Sequence, residues 1–117
     1  MSTYIVMIYG DESVWESWSE DEGLANAARH GEFNQKHGAA VVGGRELDRS
    51  RTGRSVRTDS DGRVQVTDGP FLAGPTVMGG FYLIEASDLD EAVRIASDLP
   101  EASAPSSGVE VRPIAAP

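Results

Sequence analysis

The run Thr3-Tyr-Ile-Val-Met-Ile-Tyr9 constrains this chain more than any other segment. Its two alternating faces are both β-branched, aromatic or aliphatic, the pattern of a strand buried on two sides. Such a strand needs cover above and below. A chain of 117 residues, read as a single domain over 1–117, has few elements with which to supply it.

The remaining elements follow from capping and periodicity. Ser13-Val-Trp-Glu16 and Ser19-Glu-Asp-Glu22 are both capping-box patterns. The first opens a short turn carrying Trp15 and Trp18. The second opens a helix that runs to Lys36 or His37 and stops at Gly38. Ala39–Gly43 reads as a short strand. Ser55–Thr58 and Arg63–Thr67 flank Asp59-Ser-Asp-Gly62 and read as a β-hairpin. Phe81–Glu85 is a further strand, and Asp88 caps a helix whose Leu89, Ala92, Val93 and Ala96 share one face. Pro100 ends it, Glu101–Gly108 is a polar loop, and Val109–Pro113 is the last strand. Without the hairpin, the order is β-α-β-β-α-β, so the expected class is α+β, ferredoxin-like, with an inserted hairpin. Four core strands and two helices leave apolar sheet uncovered, which predicts a homodimer packed sheet against sheet.

Charge and composition exclude several functions. The net charge of −9 opposes a phosphate-tracking nucleic-acid binder or an anionic membrane surface. No cysteine is present, which removes thiolate metal sites, disulfides and a cysteine nucleophile. His30 and His37, seven apart with Glu32 between them, lack zinc-ligand spacing. No glycine loop precedes a helix in the manner of a phosphate cradle, so neither metal nor cofactor is expected. The N-terminus has no basic leader and its apolar run is too short to span a bilayer, which predicts a cytoplasmic protein. Arg45–Arg63 holds six arginines and carries +2, leaving −11 on the rest. This excursion, polar and rich in turn residues, is expected to be the most mobile part of the fold and is either a solvated loop or a device for steering an anion.

Several segments together resemble one family. Val66-Thr-Asp-Gly-Pro-Phe71 is followed by Gly79-Gly-Phe-Tyr-Leu-Ile84 and by an Asp90-Glu-Ala92 helix start. Ile8-Tyr-Gly-Asp-Glu12, His30-Gly-Glu-Phe33, Gly43-Gly44 and Val109-Glu-Val-Arg-Pro113 agree with them. The chain thus resembles the YCII-related family over nearly its whole length, in particular the branch with the Asp-Gly-Pro-Phe signature. The resemblance implies a dimeric α+β barrel and singles out His30 and Asp68, while leaving the reaction unassigned. Two departures stand out: Leu72–Met78 is uncharged, and Arg45 follows the glycine pair where an acid is usual.

His30, Phe33 and His37 share a helical stripe roughly opposite Leu24–Ala28. If the aliphatic face meets the sheet, the histidine stripe faces a cleft. A carboxylate beside His30 would fix its tautomer and raise its basicity, which suits a general base near neutral pH. His30 and Asp68 are therefore the candidate catalytic pair, although Asp-Gly-Pro is also turn chemistry in its own right. Trp15, Phe33 and Phe71 are the candidate ligand contacts, and the uncharged Leu72–Met78 stretch favours an apolar ligand. Two functions fit: a cofactor-independent lyase, isomerase or hydrolase acting on an unknown small molecule, or a non-catalytic small-molecule-binding module. Geometry separates them, since the enzyme needs His30 and a carboxylate within hydrogen-bond reach in a concave pocket.

Overall fold

The computed structural model describes residues 1–117 as a mixed α+β chain of six strands and three helices. In chain order these are β1 (Ser2–Asp11), α1 (Glu12–Glu16), α2 (Glu20–His37), β2 (Val41–Glu46), β3 (Arg54–Thr58), β4 (Val64–Asp68), β5 (Thr76–Ala86), α3 (Leu89–Ala96) and β6 (Ser107–Pro113). Short 3-10 turns occupy Ser50–Thr52 and Pro100–Ala102. One antiparallel sheet has the order β2-β5-β1-β6, and β3 and β4 pair only with each other. No helix is long and apolar enough to cross a membrane.

The two faces of β1 are not treated alike. Tyr4, Val6 and Ile8 are buried with Ile84 and Ala86 of β5 against Phe33, Ala92, Ile95, Ala96 and Leu99. Ile5, Met7 and Tyr9, on the alternate positions, are only half-buried, as are their register partners Leu83 and Phe81. None of the buried core residues comes from that second face. The chain covers one side of its sheet and leaves an apolar strip on the other.

Local sequence explains most element ends and corrects some. At α2 the expected capping box is complete: Ser19 Oγ accepts from Glu22 N, and Glu22 accepts from Ser19 N, both at 3.1 Å. At α1 the cap is Asp11 rather than Ser13; its carboxylate accepts from Ser13 N and Ser13 Oγ, which draws Ser13 inside the helix. β5 begins five residues earlier than the apolar run Phe81–Glu85 indicates, because it pairs with β1 as far back as Asp11↔Thr76. β2 is likewise shifted to Val41–Glu46 by its pairing with β5.

Helix faces are rotated from expectation. In α3 the buried residues are Ala92, Ile95 and Ala96, while Leu89 and Val93 stay exposed. In α2 the supposed sheet-facing residue Leu24 is 61% exposed, and the inward stripe is Asn26, His30, Phe33 and His37. The histidine stripe itself packs toward the sheet. It does so because Phe33, 2% exposed, anchors the helix against the Tyr82 and His37 rings with centroids 5.0 and 5.1 Å apart.

The β3–β4 hairpin turns as its sequence predicts. Asp59 Oδ1 accepts from Asp61 N and Arg63 N, and Gly62 adopts φ +79°. Val56, Val64 and Val66 share a face by register and all are exposed. The chain's radius of gyration is 16.1 Å, and its extents are 49 × 43 × 20 Å. A compact chain of this length would have about 13 Å.

Candidate functional site

His30 sits between two side chains that are distant in sequence. Its Nδ1 lies 2.8 Å from Tyr82 Oη on β5, and its Nε2 lies 2.8 Å from Glu101 Oε2. Asn26 Nδ2 donates to the same Glu101 oxygen at 3.3 Å, and Asn34 Nδ2 reaches Tyr82 Oη at 3.5 Å. Each group is placed by a local reason. Asn26, His30 and Asn34 recur at intervals of four on α2, so they line one side of the helix. Tyr82 points to the helix side because it pairs with Val6, a core residue. Glu101 follows Pro100, which starts the 3-10 turn after α3 and tucks the next side chain inward.

Glu101 is only 6% exposed, which is rare for a carboxylate without a partner cation. Burial works to raise its pKa, but the hydrogen bond and charge of His30, with help from Asn26, hold it below the usual glutamate value. Glu101 is therefore ionised near neutral pH and can only accept. That places a proton on His30 Nε2, which donates to Glu101; in the neutral imidazole Nδ1 then carries the lone pair and accepts from Tyr82 O–H. Burial, reinforced by the Glu101 charge, raises the Tyr82 pKa above its ordinary value despite the Asn34 contact. The phenol stays protonated. Glu101 Oε1 is buried and has no protein donor.

The three residues line a cavity of about 570 Å³ between α1, α2 and the β2–β5 side of the sheet. Trp15 and Trp18 form part of its wall. Trp15 is seated on the backbone of β5: a Cβ added to Gly79 would lie 2.7 Å from its ring. The pairing of β1 with β5 shifts register between Ile8 and Tyr9, opposite Gly79, so the bulge and the missing side chain together make the seat. The rim carries Glu12, Glu16, Glu46 and Asp48 beside Arg45 and Arg49. Both oxygens of Glu12 accept from Ser50, whose hydroxyl and backbone amide hold the Glu12 pKa low.

The other sequence candidates fall elsewhere. Asp68 ends β4 with its side chain 88% exposed and 3.4 Å from Arg54 Nε. It does not line the His30 cavity; the carboxylate beside His30 is Glu101. Gly69, at φ +97°, turns the chain there, and its carbonyl accepts from Ser55 Oγ. Phe71 is 58% exposed under the Arg57 guanidinium, 3.9 Å from the ring centroid. With Gly69 and Pro70 it borders a separate, more open concavity beside Tyr9 and Met78. Phe33 belongs to the core and supports Tyr82 from behind. Trp15 alone among the three ligand candidates lines the cavity. His37 Nε2 lies 2.7 Å from Asp98 Oδ2, the same oxygen that Lys36 Nζ approaches at 3.0 Å, in addition to lying near the helix end. No three metal-ligating side chains converge.

Sequence reasoning missed Glu101, Tyr82 and Asn26. Glu101 lies in a stretch whose composition reads as polar loop, and 71 residues separate it from His30. Tyr82 had a usable signal, since alternation in Phe81-Tyr-Leu-Ile84 puts Tyr82 and Ile84 on one face.

The model of the YCII-related domain matches residues 1–116. The chain is 34% identical over 113 residues to "Uncharacterized protein R00369" of Rhizobium meliloti (strain 1021), covering 96% of this chain and 91% of that protein. A family match over essentially every residue, with the four-stranded sheet and the His30 cleft inside it, places the chain in the YCII-related domain family.

Proposed function

We propose that the His30 cavity is the acid/base site of a small cofactor-independent enzyme, a lyase, isomerase or hydrolase, that works on a small molecule in the cytoplasm. One observation carries the reading: a buried, ionised Glu101 orients His30 in a cavity wide enough for a small ligand. A carboxylate on Nε2 raises the basicity of the imidazole and stabilises the imidazolium formed when it takes a proton. Asp68 is read as a turn and hairpin residue, and its Asp-Gly-Pro-Phe71 segment as the mark of that branch of the family. The fold is read as ferredoxin-like, with β3–β4 inserted. A homodimer fits the half-buried strip of Ile5, Met7, Phe81 and Leu83, which a second copy would cover sheet to sheet.

A second reading has an observation of its own. Both ring nitrogens of His30 are occupied by protein groups, as in a cleft wall built for binding alone. Incubation with pools of small carbonyl and hydroxyl compounds, followed by NMR, separates the two. Turnover that falls by about 10²–10⁴ in His30→Gln supports the enzyme. Saturable binding without conversion, unaffected by His30→Gln, would establish the binding module instead. Sedimentation at micromolar concentration tests the dimer, and a monomer there refutes it.

A further inference from the structure

The network around His30 has a direction. Glu101 accepts from His30 Nε2–H, Tyr82 covers Nδ1, and no ring nitrogen is left to meet a ligand. The Tyr82 and His30 rings lie nearly parallel, 16° apart with centroids at 5.9 Å, and meet through the Tyr82–Nδ1 hydrogen bond. The Tyr82 oxygen has a lone pair still available, because its proton goes to His30 and only the long Asn34 contact approaches from the other side. Tyr82 lines the cavity.

We propose that Tyr82 Oη is the catalytic atom of this site and that His30 acts on the ligand only through it. The proposal rests on the acid/base reading above. In the step, a ligand X–H gives its proton to Tyr82 Oη while the Tyr82 proton passes to His30 Nδ1. The products are X⁻, neutral Tyr82 and a His30 imidazolium held against Glu101; one X–H bond breaks, one N–H bond forms, and no electrons change hands. The reverse transfer returns the proton to the ligand at a second position, or to the leaving group. The relay never requires a free phenolate, in keeping with a hydroxyl half-buried beside a carboxylate. His30 is the positioning and storage group.

The lining also limits the ligand. Five carboxylates (Glu12, Glu16, Glu46, Asp48 and Glu101) face two arginines, Arg45 and Arg49. A ligand that arrives already anionic meets net repulsion, so the site suits a neutral or cationic molecule with a hydroxyl or an activated C–H, with Trp15 beside it.

Two reagents test the relay without knowledge of the ligand. N-acetylimidazole acetylates tyrosine oxygens, and peptide mapping reads Tyr82 against Tyr9 in the same molecule. In the wild type Tyr82 is expected to react faster than Tyr9. His30→Gln is expected to slow Tyr82 by roughly a hundredfold, the lower end of a positioned base's contribution, with Tyr9 unchanged. Equal Tyr82 rates in the two proteins overturn the relay. Diethyl pyrocarbonate, which acylates free imidazole nitrogens, supplies a second arm that needs only Tyr82→Phe. Removing the hydroxyl uncovers Nδ1, so His30 modification is expected to accelerate several-fold relative to His37. If His30 already reacts several-fold faster than His37 in the wild type, and no faster in Tyr82→Phe, it meets ligands directly: the relay fails and the acid/base reading survives. If His30 and Tyr82 both stay at the reference rates in every variant, both readings fail.

Discussion

Replacing Glu101 by Gln changes one charge and almost no volume, and the structure sets what it should do. The carboxylate accepts from His30 at 2.8 Å and from Asn26 at 3.3 Å while 6% exposed. A hydrogen bond to a charged partner contributes about 1.5–3 kcal/mol and a neutral one about 0.5–1.5, so losing the charge costs about 1 kcal/mol for each of two bonds. Relief of carboxylate desolvation offsets part of this, leaving Glu101→Gln destabilised by about 1–2 kcal/mol at pH 7. The difference has a definite pH dependence. The folded pKa of Glu101 lies below its ordinary value of 4.5, so its contribution is complete above that value and is lost as pH falls through the folded one. Urea unfolding followed by circular dichroism at pH 7 and pH 3, at fixed protein concentration, measures both. The gap at pH 7 should correspond to a melting-point drop of roughly 5–10 °C and should shrink in acid. A variant more stable than wild type at pH 7, or a gap independent of pH, refutes the assignment of Glu101 as the ionised partner of His30.

Other expectations follow from single contacts. Phe33→Ala should cost about 3–5 kcal/mol, because Phe33 is a fully buried core residue; thermal unfolding reads it, and a loss below about 1 kcal/mol contradicts the core placement. Gly79→Ala drives a methyl group to 2.7 Å from the Trp15 ring, so the indole must leave its seat. A changed tryptophan emission maximum and a loss of about 1–3 kcal/mol are expected, and an unaltered spectrum contradicts the seat. Asp68→Asn should change stability by no more than about 0.5 kcal/mol, since its side chain is exposed and its Arg54 contact is solvated; a larger loss would mean that a second copy buries it. Limited proteolysis should cut first near Asp59–Gly62, and cleavage elsewhere first contradicts the expected mobility of the hairpin.

Legibility in the sequence followed the range of the interactions. The α2 capping box and the Asp59–Gly62 turn depend on neighbours a few residues apart, and both stand in the structure, whereas β1 is a strand with only one of its two apolar faces buried within the chain. His30 is visible in the sequence as a histidine on a helical stripe expected to face a cleft. Its partner is not, because Glu101 approaches from 71 residues away and is buried by the turn at Pro100 rather than by any local pattern. The rotation of α2 departs from its sequence pattern for a related reason. Leu24 promised an aliphatic inner face, but one buried aromatic, Phe33, together with the His30 network, sets the orientation instead. The Asp68-Gly-Pro-Phe71 segment shows the opposite case: its turn chemistry was readable, and within one chain it leads away from the His30 cavity.

The polarity of the Tyr82–His30–Glu101 network is the centre of this account, and His30's ring nitrogens report it directly. Long-range ¹⁵N–¹H correlation spectra of ¹⁵N-histidine-labelled protein distinguish the two neutral tautomers and the imidazolium, with His37 as the second resonance set. Recorded above the imidazole titration, they should show His30 with its proton on Nε2 and a bare Nδ1 accepting from Tyr82, a pattern that Glu101→Gln weakens. A His30 protonated at Nδ1, or one that exchanges freely between tautomers like a solvent-exposed imidazole, would contradict the network and the chemistry built on it.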